Sequence, residues 1–413
     1  MPLPLWIPVR RTFPVKQEAD VAAAVRREMS RPEISSLLRP GERVALGVGS
    51  RGLAALAEMV RAVVEVVREH GAEPFIVPAM GSHGGATTEG QRDVLAHLGV
   101  TEQAVSAPIR ASMEAVEIGR LGNGLPVYFD RLALEADLVI PINRVKPHTT
   151  FRGGLESGLT KMLAIGLGKH AGATAIHSMG WDLIEANMRE ALEVIKVKTP
   201  FRFGLASVEN AYHGVATIEA VHAEDMPRRE EELLERAREM MPRLPFEQID
   251  VLVVGEIGKE ISGTGMDPNV TGRSAGGSIW GLKANKIVVL NLSSGSEGNA
   301  AGIGMADVTT ERVVFGMDLD RTWVNVLTST NLPIARIPLF MPNDRMAIQL
   351  ALKCCGQVDT REARLVWIRN TLELDVMYLS ETLWAEVEDV EGVEIMGPVQ
   401  PIRFDEAGNL RFD

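Results

Sequence analysis

Short apolar runs alternate with longer amphipathic stretches along most of this chain. In its first half, apolar runs at 43–48, 74–78 and 136–142 are separated by stretches with helical spacing at 53–69 and 87–98. Continuous apolar runs are typical of strands buried on both faces, and parallel strands are joined by helical crossovers. The pattern therefore predicts an α/β fold with largely parallel sheets and helices on their faces.

The length of 413 residues predicts two domains, because single hydrophobic cores rarely grow beyond about 250–300 residues. A charged helix predicted at 227–241, followed by Pro242 and Pro245, indicates the exit from the first domain. The second series of elements comprises predicted strands at 250–255, 286–292 and 334–340 and a helix at 343–353. We predict two Rossmann-like domains, 1–245 and 246–413, with the active site in the cleft between them. The last segment is expected to be able to pack back on the first domain.

The charge balance argues against nucleic-acid and membrane partners. The chain carries 43 Lys and Arg against 55 Asp and Glu, for a net charge of -12, whereas both partners attract basic surfaces. No apolar run reaches the 18 residues of a membrane span, and the first residues lack the apolar core of a signal peptide. We predict a cytoplasmic protein that binds a small molecule, and the sequence does not determine its oligomeric state.

The two cysteines, Cys354 and Cys355, are adjacent. They follow an apolar helical pattern from 346 to 352, and disulfides are rare in the cytoplasm. We expect two buried free thiols rather than a disulfide or a metal site.

Polar, glycine-rich loops follow three of the predicted strands. They carry Arg51, His83 and His148. Ligands of open α/β sheets bind at the carboxyl ends of the strands, so we expect these three side chains to converge. A guanidinium group is suited to a carboxylate or a phosphate. Two imidazoles, which ordinarily titrate near neutrality, can act as acid and base on one substrate carbon.

The segment that follows His148 adds a lysine and two histidines. Lys161 has apolar neighbours on both sides, where an ammonium group is costly unless it is paired, neutral or covalently used. A lysine whose stem is buried and whose charge reaches solvent is the structural alternative. A neutral imidazole at His170 or His177 could bind a transition metal.

Residues 47–52 match the pattern G-x-G-x-x-G between a predicted strand and a predicted helix. In dinucleotide-binding proteins an acidic residue about 20 positions further on, at the end of the next strand, binds the ribose. Here that strand ends in Pro78-Ala79-Met80. A tight turn between strand and helix is therefore favoured over a nicotinamide site.

The order and spacing of these motifs resemble the nickel-pincer lactate racemase family. The residues that carry the resemblance are Arg51, Gly81-Ser82-His83, Pro147-His148, Gly153-Gly154, Lys161 and, sixteen residues after that lysine, His177. The resemblance covers the first domain from about residue 40 to residue 180, and the second domain in outline.

The resemblance implies an isomerase, a racemase or epimerase of a 2-hydroxy acid. It implies a nickel-pincer nucleotide, supplied by cofactor-synthesis enzymes, in which two sulfur atoms and a ring carbon hold nickel. Lys161 would attach this cofactor covalently, His177 would bind the nickel, and Ser50, Gly153 and Gly154 would contact the cofactor. His83 and His148 would exchange protons with the substrate hydroxyl while the α-hydrogen leaves as hydride, and Arg51 would bind the carboxylate.

The chain departs from the family pattern at several positions. Val48 stands where the family has an Asp, Gly84 stands where an Arg follows the histidine, and three extra residues separate His148 from Lys161. The Gln and Lys that hold lactate in the second domain have no clear match, and Arg273 and Lys259 are the candidates to replace them. The expected substrate is therefore a 2-hydroxy acid other than, or larger than, lactate.

Two other functions stay open on the residues alone. A zinc-dependent hydrolase or lyase would use His83, His148 and His177, although no carboxylate lies at a metalloprotease spacing from them. A non-enzymatic protein that binds a nucleotide cofactor would need only Lys161 and His177. That alternative leaves Arg51 and His83 without a role.

Overall fold

The structure is a computed structural model that describes residues 1–50, 53–275, 280–329 and 331–412. The chain divides into two compact units. Residues 14–241 form one, called the N-terminal unit below. Residues 1–13 and 242–413 form the other, called the C-terminal unit. The domain bounds 1–245 and 246–413 and the cleft between domains stay predictions.

The strands follow one another along the described part of the chain as β1 (Leu5–Arg11), β2 (Arg43–Val48), β3 (Glu73–Pro78), β4 (Ala115–Arg120), β5 (Pro126–Asp130), β6 (Leu138–Arg144), β7 (Phe203–Glu209), β8 (Val215–His222), β9 (Gln248–Val254), β10 (Lys283–Val289), β11 (Val308–Thr310), β12 (Leu339–Met341), β13 (Leu365–Ile368), β14 (Val376–Ser380), β15 (Val393–Ile395), β16 (Gln400–Pro401), β17 (Arg403–Phe404) and β18 (Leu410–Arg411).

The α-helices of the same residues are α1 (Val21–Met29), α2 (Pro32–Ser35), α3 (Leu56–Glu69), α4 (Thr88–His97), α5 (Glu102–Val105), α6 (Arg131–Leu134), α7 (Leu159–Lys161), α8 (Lys169–His177), α9 (Ile184–Lys198), α10 (Met226–Met240), α11 (Pro268–Thr271), α12 (Glu311–Phe315), α13 (Leu319–Ser329) and α14 (Asp344–Cys354). None of the described helices is both long enough and apolar enough to cross a membrane.

The sheet of the N-terminal unit has the strand order β3-β2-β6-β7-β8. Strands β2, β3, β6 and β7 are parallel, and β8 is antiparallel to β7. The register pairs Val48 with both Pro78 and Ile142, so β2, β3 and β6 reach the same edge of the sheet. The loops that carry Ser50, His83 and His148 leave the sheet at this edge.

Both faces of this sheet are buried, as the continuous apolar runs predict. Neighbouring residues of β2, such as Ala45 and Leu46, belong to apolar cores on opposite faces, because side chains alternate along a strand. Helices α1 and α3 complete one core, and α9 and α10 complete the other. The layered arrangement leaves the carboxyl edge of the sheet to the polar loops.

The sheet of the C-terminal unit has the order β12-β11-β10-β9-β13-β14-β1-β15, with β16 also paired to β1. Strands β9 to β13 pair in parallel, whereas β1 pairs antiparallel with β14 and β15. The first strand of the chain thus forms part of the C-terminal unit.

The predicted α/β class is confirmed, and most predicted elements lie within two residues of the observed ones. The strand predicted at 334–340 is wrong in its extent, because only Leu339–Met341 is a strand. Pro338 precedes it and has no N–H to donate to a sheet. The expected burial of both thiols is also wrong, since Cys355 is buried but Cys354 is exposed. Cys354 lies off the buried stripe of α14.

A π-helical turn at Met162–Gly166 separates α7 from α8. Its wider hydrogen bond joins Leu167 N to Met162 O at 2.7 Å. The loop after β3 lies directly against this turn, because Gly81 N donates to Gly166 O at 3.0 Å. A Cβ atom at Gly166 would lie 2.6 Å from the carbonyl oxygen of Ala79. Glycine at 166 therefore allows the loop and the turn to approach each other.

A buried carboxylate binds the start of α7. Glu230, on α10, is only 2% exposed. Its Oε2 accepts hydrogen bonds from Thr160 N at 3.0 Å and from Thr160 Oγ1 at 2.6 Å. Burial raises the pKa of Glu230 to about 7. An acid that titrates near neutrality thus binds helix α7, whose last residue is Lys161.

We expect Gly166→Ala to destabilise the N-terminal unit by roughly 1–3 kcal/mol, because the new Cβ would overlap backbone that cannot move freely. Gly47→Ala is the matched control, since its Cβ would meet Ala79 Cβ at 3.5 Å, an ordinary contact. The control should be neutral or stabilising by about 0.4–1 kcal/mol. Urea unfolding of the full chain measures both, and equal effects of the two substitutions would contradict this explanation.

Glu230 should make the protein less stable as the pH rises from about 4.5 to about 7. The unfolded carboxyl ionises at its ordinary value of 4.5, whereas the folded one keeps its proton to about 7, so ionisation favours unfolding across this window. Glu230→Gln stays neutral, so the variant should not show this loss of unfolding free energy, which is on the order of 3 kcal/mol. Unfolding free energies at pH 5 and pH 8 test this, with the exposed Glu239→Gln on the same helix as control. An identical difference between variant and wild type at both pH values would contradict it.

Candidate active site

Ser50 and His83 meet at the carboxyl edge of the N-terminal sheet. The hydroxyl of Ser50 is hydrogen-bonded to Nδ1 of His83, whose side chain is exposed. Gly84, which follows the histidine, has φ 65°, and a Cβ there would lie 2.5 Å from the backbone of Gly90. The arginine of the family pattern has no room at this position, so the loop presents its histidine without it.

Arg51 lies outside the described residues. The helix start that follows it is anchored by Glu209, because Ala54 N donates to Glu209 Oε1 at 2.8 Å. The other carboxylate oxygen of Glu209 pairs with Arg144, the last residue of β6. Arg144 is a cation at the ligand edge that the sequence analysis missed.

His148 is held by one hydrogen bond from its own backbone amide and one to its ring. Its own N–H donates to Glu156 Oε2 at 2.5 Å, and its Nδ1 accepts from Thr150 N at 3.0 Å. Because Nδ1 accepts, the neutral imidazole carries its proton on Nε2. The ring lies beside Phe151 and Trp181, with centroid distances of 4.6 and 5.7 Å.

Glu156 holds the loop that carries His148. The residue is only 2% exposed, and its Oε1 accepts from Gly153 N at 3.1 Å and from Arg238 Nη2 at 2.6 Å. Together with its contact to the His148 amide, it joins both ends of a short loop. Glu156 is not among the residues predicted from the sequence, although it is the sole acidic side chain between Asp137 and Asp182.

The two glycines of this loop make room for carboxylates. Gly154 N donates to Glu185 Oε1 at 3.1 Å. A Cβ at Gly153 would overlap the same Glu185 carboxylate, and a Cβ at Gly154 would lie 2.7 Å from Arg189 Nη2. The amides of Gly153 and Gly154 thus bind side chains of the unit itself, and contact with a cofactor stays a prediction.

His177 ends α8 and presents one ring nitrogen for a ligand. Its Nδ1 donates to the carbonyl oxygen of Ala173 at 2.6 Å, which leaves the lone pair on Nε2. Burial, and secondarily the charge of Lys161, lower the pKa of His177, so the imidazole is neutral. A fixed, neutral imidazole of this kind is the usual protein ligand of a transition metal. The rival candidate, His170, is exposed on the same helix.

The ring of Trp181 lies close to the rings of both His148 and His177. Its ring lies 5.2 Å from that of His177 and 5.7 Å from that of His148. Gly180, with φ 83°, turns the chain back after α8 and starts the short helix Trp181–Leu183. Trp181 is not among the residues predicted from the sequence. Because the chain turns at Gly180, helical spacing from His177 gives no signal for it.

The two residues proposed from the C-terminal unit have structural partners. Arg273 pairs with Asp307 at 2.6 Å and donates to Ala284 O and Asn285 O, each at 3.0 Å. These carbonyls lie at the amino end of β10, away from the strand end where ligands bind. We therefore leave Arg273 out of the proposed site. Lys259 donates to Gly263 O at 2.8 Å, and its contact with a substrate stays a prediction.

The histidines of the described residues do not form a metal site by themselves. Within residues 1–50, 53–275, 280–329 and 331–412, no group of three or more His, Cys, Asp or Glu side chains could hold a metal ion. His83, His148 and His177 all belong to these residues. The zinc alternative therefore finds no three-ligand site among them.

Comparison with known proteins gives one family and one fold. Residues 9–188 match the model of the lactate racemase N-terminal domain. The lactate racemase apoprotein from Thermoanaerobacterium thermosaccharolyticum is similar in fold, with a TM-score of 0.55 and 14% identity over 88% of this chain and 94% of that one. A Thermotoga maritima protein matches with a TM-score of 0.53 and 14% identity over 87% of this chain and 97% of that one. None of the curated proteins matches.

The family match covers all the site residues predicted before position 189, from Ser50 to His177. The resemblance that the sequence motifs carry is thereby confirmed over residues 9–188, which match the lactate racemase N-terminal domain.

Proposed function

We propose that this protein is a racemase or epimerase of a 2-hydroxy acid other than, or larger than, lactate, and that it uses a nickel-pincer nucleotide. The family of residues 9–188 and the fold shared with a lactate racemase apoprotein support an isomerase of this type. The cofactor, its attachment and the substrate class are our inference from the site residues.

The observation that carries the proposal is the state of His177. A metal held by side chains alone needs three or four protein ligands, and the described residues offer no such group. A pincer nucleotide brings three donor atoms of its own and needs one more from the protein. His177, neutral and fixed through Nδ1 to Ala173 O, fits that single position. Lys161, whose charge acts on His177, is half-buried and fits the covalent anchor.

When bound, the cofactor would supply a reversible acceptor for the α-hydrogen as hydride. The protein's own task is then to move the hydroxyl proton and to hold the carboxylate. His83 and His148, which leave the same edge of the sheet, are the proposed acid and base. Two such groups serve an isomerase because the two enantiomers present their hydroxyl groups to opposite sides. Arg51 is the proposed partner of the carboxylate.

The two histidines enter the reaction with different hydrogen bonds. His148 holds its proton on Nε2 while Thr150 N binds Nδ1, so its neutral form donates to a substrate oxygen. His83 has Ser50 Oγ on Nδ1, and a hydroxyl group can either donate or accept. His83 can therefore change its protonation state without losing its partner. We infer that His83 removes the hydroxyl proton in the arrangement shown here. His148 must first gain a proton on Nδ1, in place of its contact with Thr150 N, and then returns a proton as an imidazolium.

Covalent loading tests the anchor and the metal ligand separately. After co-expression with cofactor-synthesis enzymes, we expect the full chain to carry a mass increment that survives denaturation, with about one nickel per chain. Lys161→Ala should lack the increment, whereas His177→Ala should keep it and lose the nickel, because a single ligand is removed. Intact mass and metal analysis measure both.

The exposed Lys198→Ala on α9 is the control and should keep increment and nickel. An increment retained in Lys161→Ala would place the attachment elsewhere. Zinc without an increment in the wild-type chain would overturn the cofactor assignment.

We expect His83→Asn and His148→Asn each to slow racemisation by about 10²–10⁴, the usual contribution of a general acid or base. Chiral chromatography of a panel of 2-hydroxy acids, with the loaded enzyme, measures the rate. His213→Asn, an exposed histidine of the same unit, should have no effect. Rates within a few-fold of wild type for both active-site variants would rule out the two-histidine mechanism.

A further inference from the structure

A fully buried lysine lies between the His83 loop and the helix that ends at His177. Lys169, Asp130 and Gln91 are all 0% exposed. The Nζ atom of Lys169 lies 2.9 Å from Asp130 Oδ2, 3.3 Å from Gln91 Oε1 and 2.5 Å from the carbonyl oxygen of Pro78. The ammonium group therefore has one ion-pair partner, Asp130, and two hydrogen-bond acceptors, Gln91 and Pro78. The lysine is fixed in position by its surroundings.

Gln91 connects this lysine to the backbone of the His83 loop. Its Nε2 donates to Gly81 O at 2.9 Å and to His83 O at 3.3 Å, while its Oε1 accepts from Lys169. A buried amide with both donors and its acceptor used has one orientation. Lys169 thus fixes Gln91, and Gln91 fixes the carbonyl groups at and before His83.

Stability alone does not account for a lysine at position 169. The residue has φ 54°, a left-handed conformation that disfavours any side chain. Burial lowers the pKa of Lys169 and raises that of Asp130, because charges lose hydration there. A buried ion pair is often no more stable than apolar residues of the same size. Strained, costly residues of this kind are typical of functional sites.

We propose that Lys169 and Gln91 are positioning residues that couple the His83 loop to the segment carrying Lys161 and His177. Lys169 is the first residue of α8, and His177 is its last. The second link is the hydrogen bond from Gly81 N to Gly166 O in the π-helical turn. The catalytic meaning of this coupling rests on the proposed function, whereas its effect on the loop does not.

Hydrogen–deuterium exchange of the full chain without cofactor tests the coupling directly. In Gln91→Met, which keeps the volume but removes both donors, amides of residues 79–86 should exchange roughly ten-fold faster. Amides of α9 should exchange as in the wild type. Exchange of residues 79–86 at the wild-type rate would overturn the proposal.

Asn187→Leu provides a matched control. Asn187 is 2% exposed in the same unit, and its amide oxygen accepts from Asn123 Nδ2 at 2.9 Å. It should lower stability without changing exchange of residues 79–86, and an equal acceleration there would show a general loosening and overturn the proposal. If Gln91→Met does not fold, Lys169→Met with Asp130→Asn breaks the same link and must give the same local acceleration.

Kinetics of the cofactor-loaded enzyme distinguish this proposal from the proposed function. Gln91→Met should keep the covalent increment at Lys161 and lower kcat about ten-fold with a smaller change in KM, because His83 is misplaced rather than lost. Faster loop exchange with unchanged kcat would overturn the positioning role. If residues 79–86 exchange faster in Gln91→Met but the wild-type protein racemises no 2-hydroxy acid, the coupling is supported and the proposed function is contradicted.

Discussion

Buried carboxylates bind the backbone of the loops that carry the candidate residues. Glu156 accepts from the amides of His148 and Gly153, and Glu230 from the amide of Thr160 beside Lys161. Glu209 likewise accepts from Ala54 N, three residues after Arg51 in the sequence. Loops at a strand end cannot satisfy their amides within a sheet, and an unpaired buried amide is costly. The carboxylates satisfy these amides from within the unit.

The departures from the family pattern have local physical causes. Val48 is 0% exposed and pairs with Pro78 and Ile142, so an aspartate there would enter an apolar core. Gly84 is required by its close approach to Gly90. Both differences lie beside Arg51 and His83, whereas Lys161, His177 and the spacing between them match the family pattern. This division supports the proposal of a common cofactor and a different hydroxy acid.

The sequence predicts the layers and the loops of the N-terminal unit well, because both follow from local patterns. Apolar runs place β2, β3 and β6, and the polar residues after them place His83 and His148. Apart from Glu156, the residues that support the site are distant in sequence from the residues they hold. Gln91 and Lys169 are 78 residues apart, and Glu230 lies on a helix whose charged composition predicts a solvated face. Tertiary packing alone brings such residues to the site, so a single sequence gives no sign of them.

The π-helical turn at Met162–Gly166 restricts how many residues can separate Lys161 from the start of α8. A π turn contains one residue more than an α-helical turn, and here the wider turn brings the Gly166 carbonyl oxygen to Gly81 N. Deleting one residue from Met162–Gly166 would restore an α-helical turn and remove that acceptor from its place. Single-residue deletions that most surface loops tolerate would therefore separate this segment from the His83 loop.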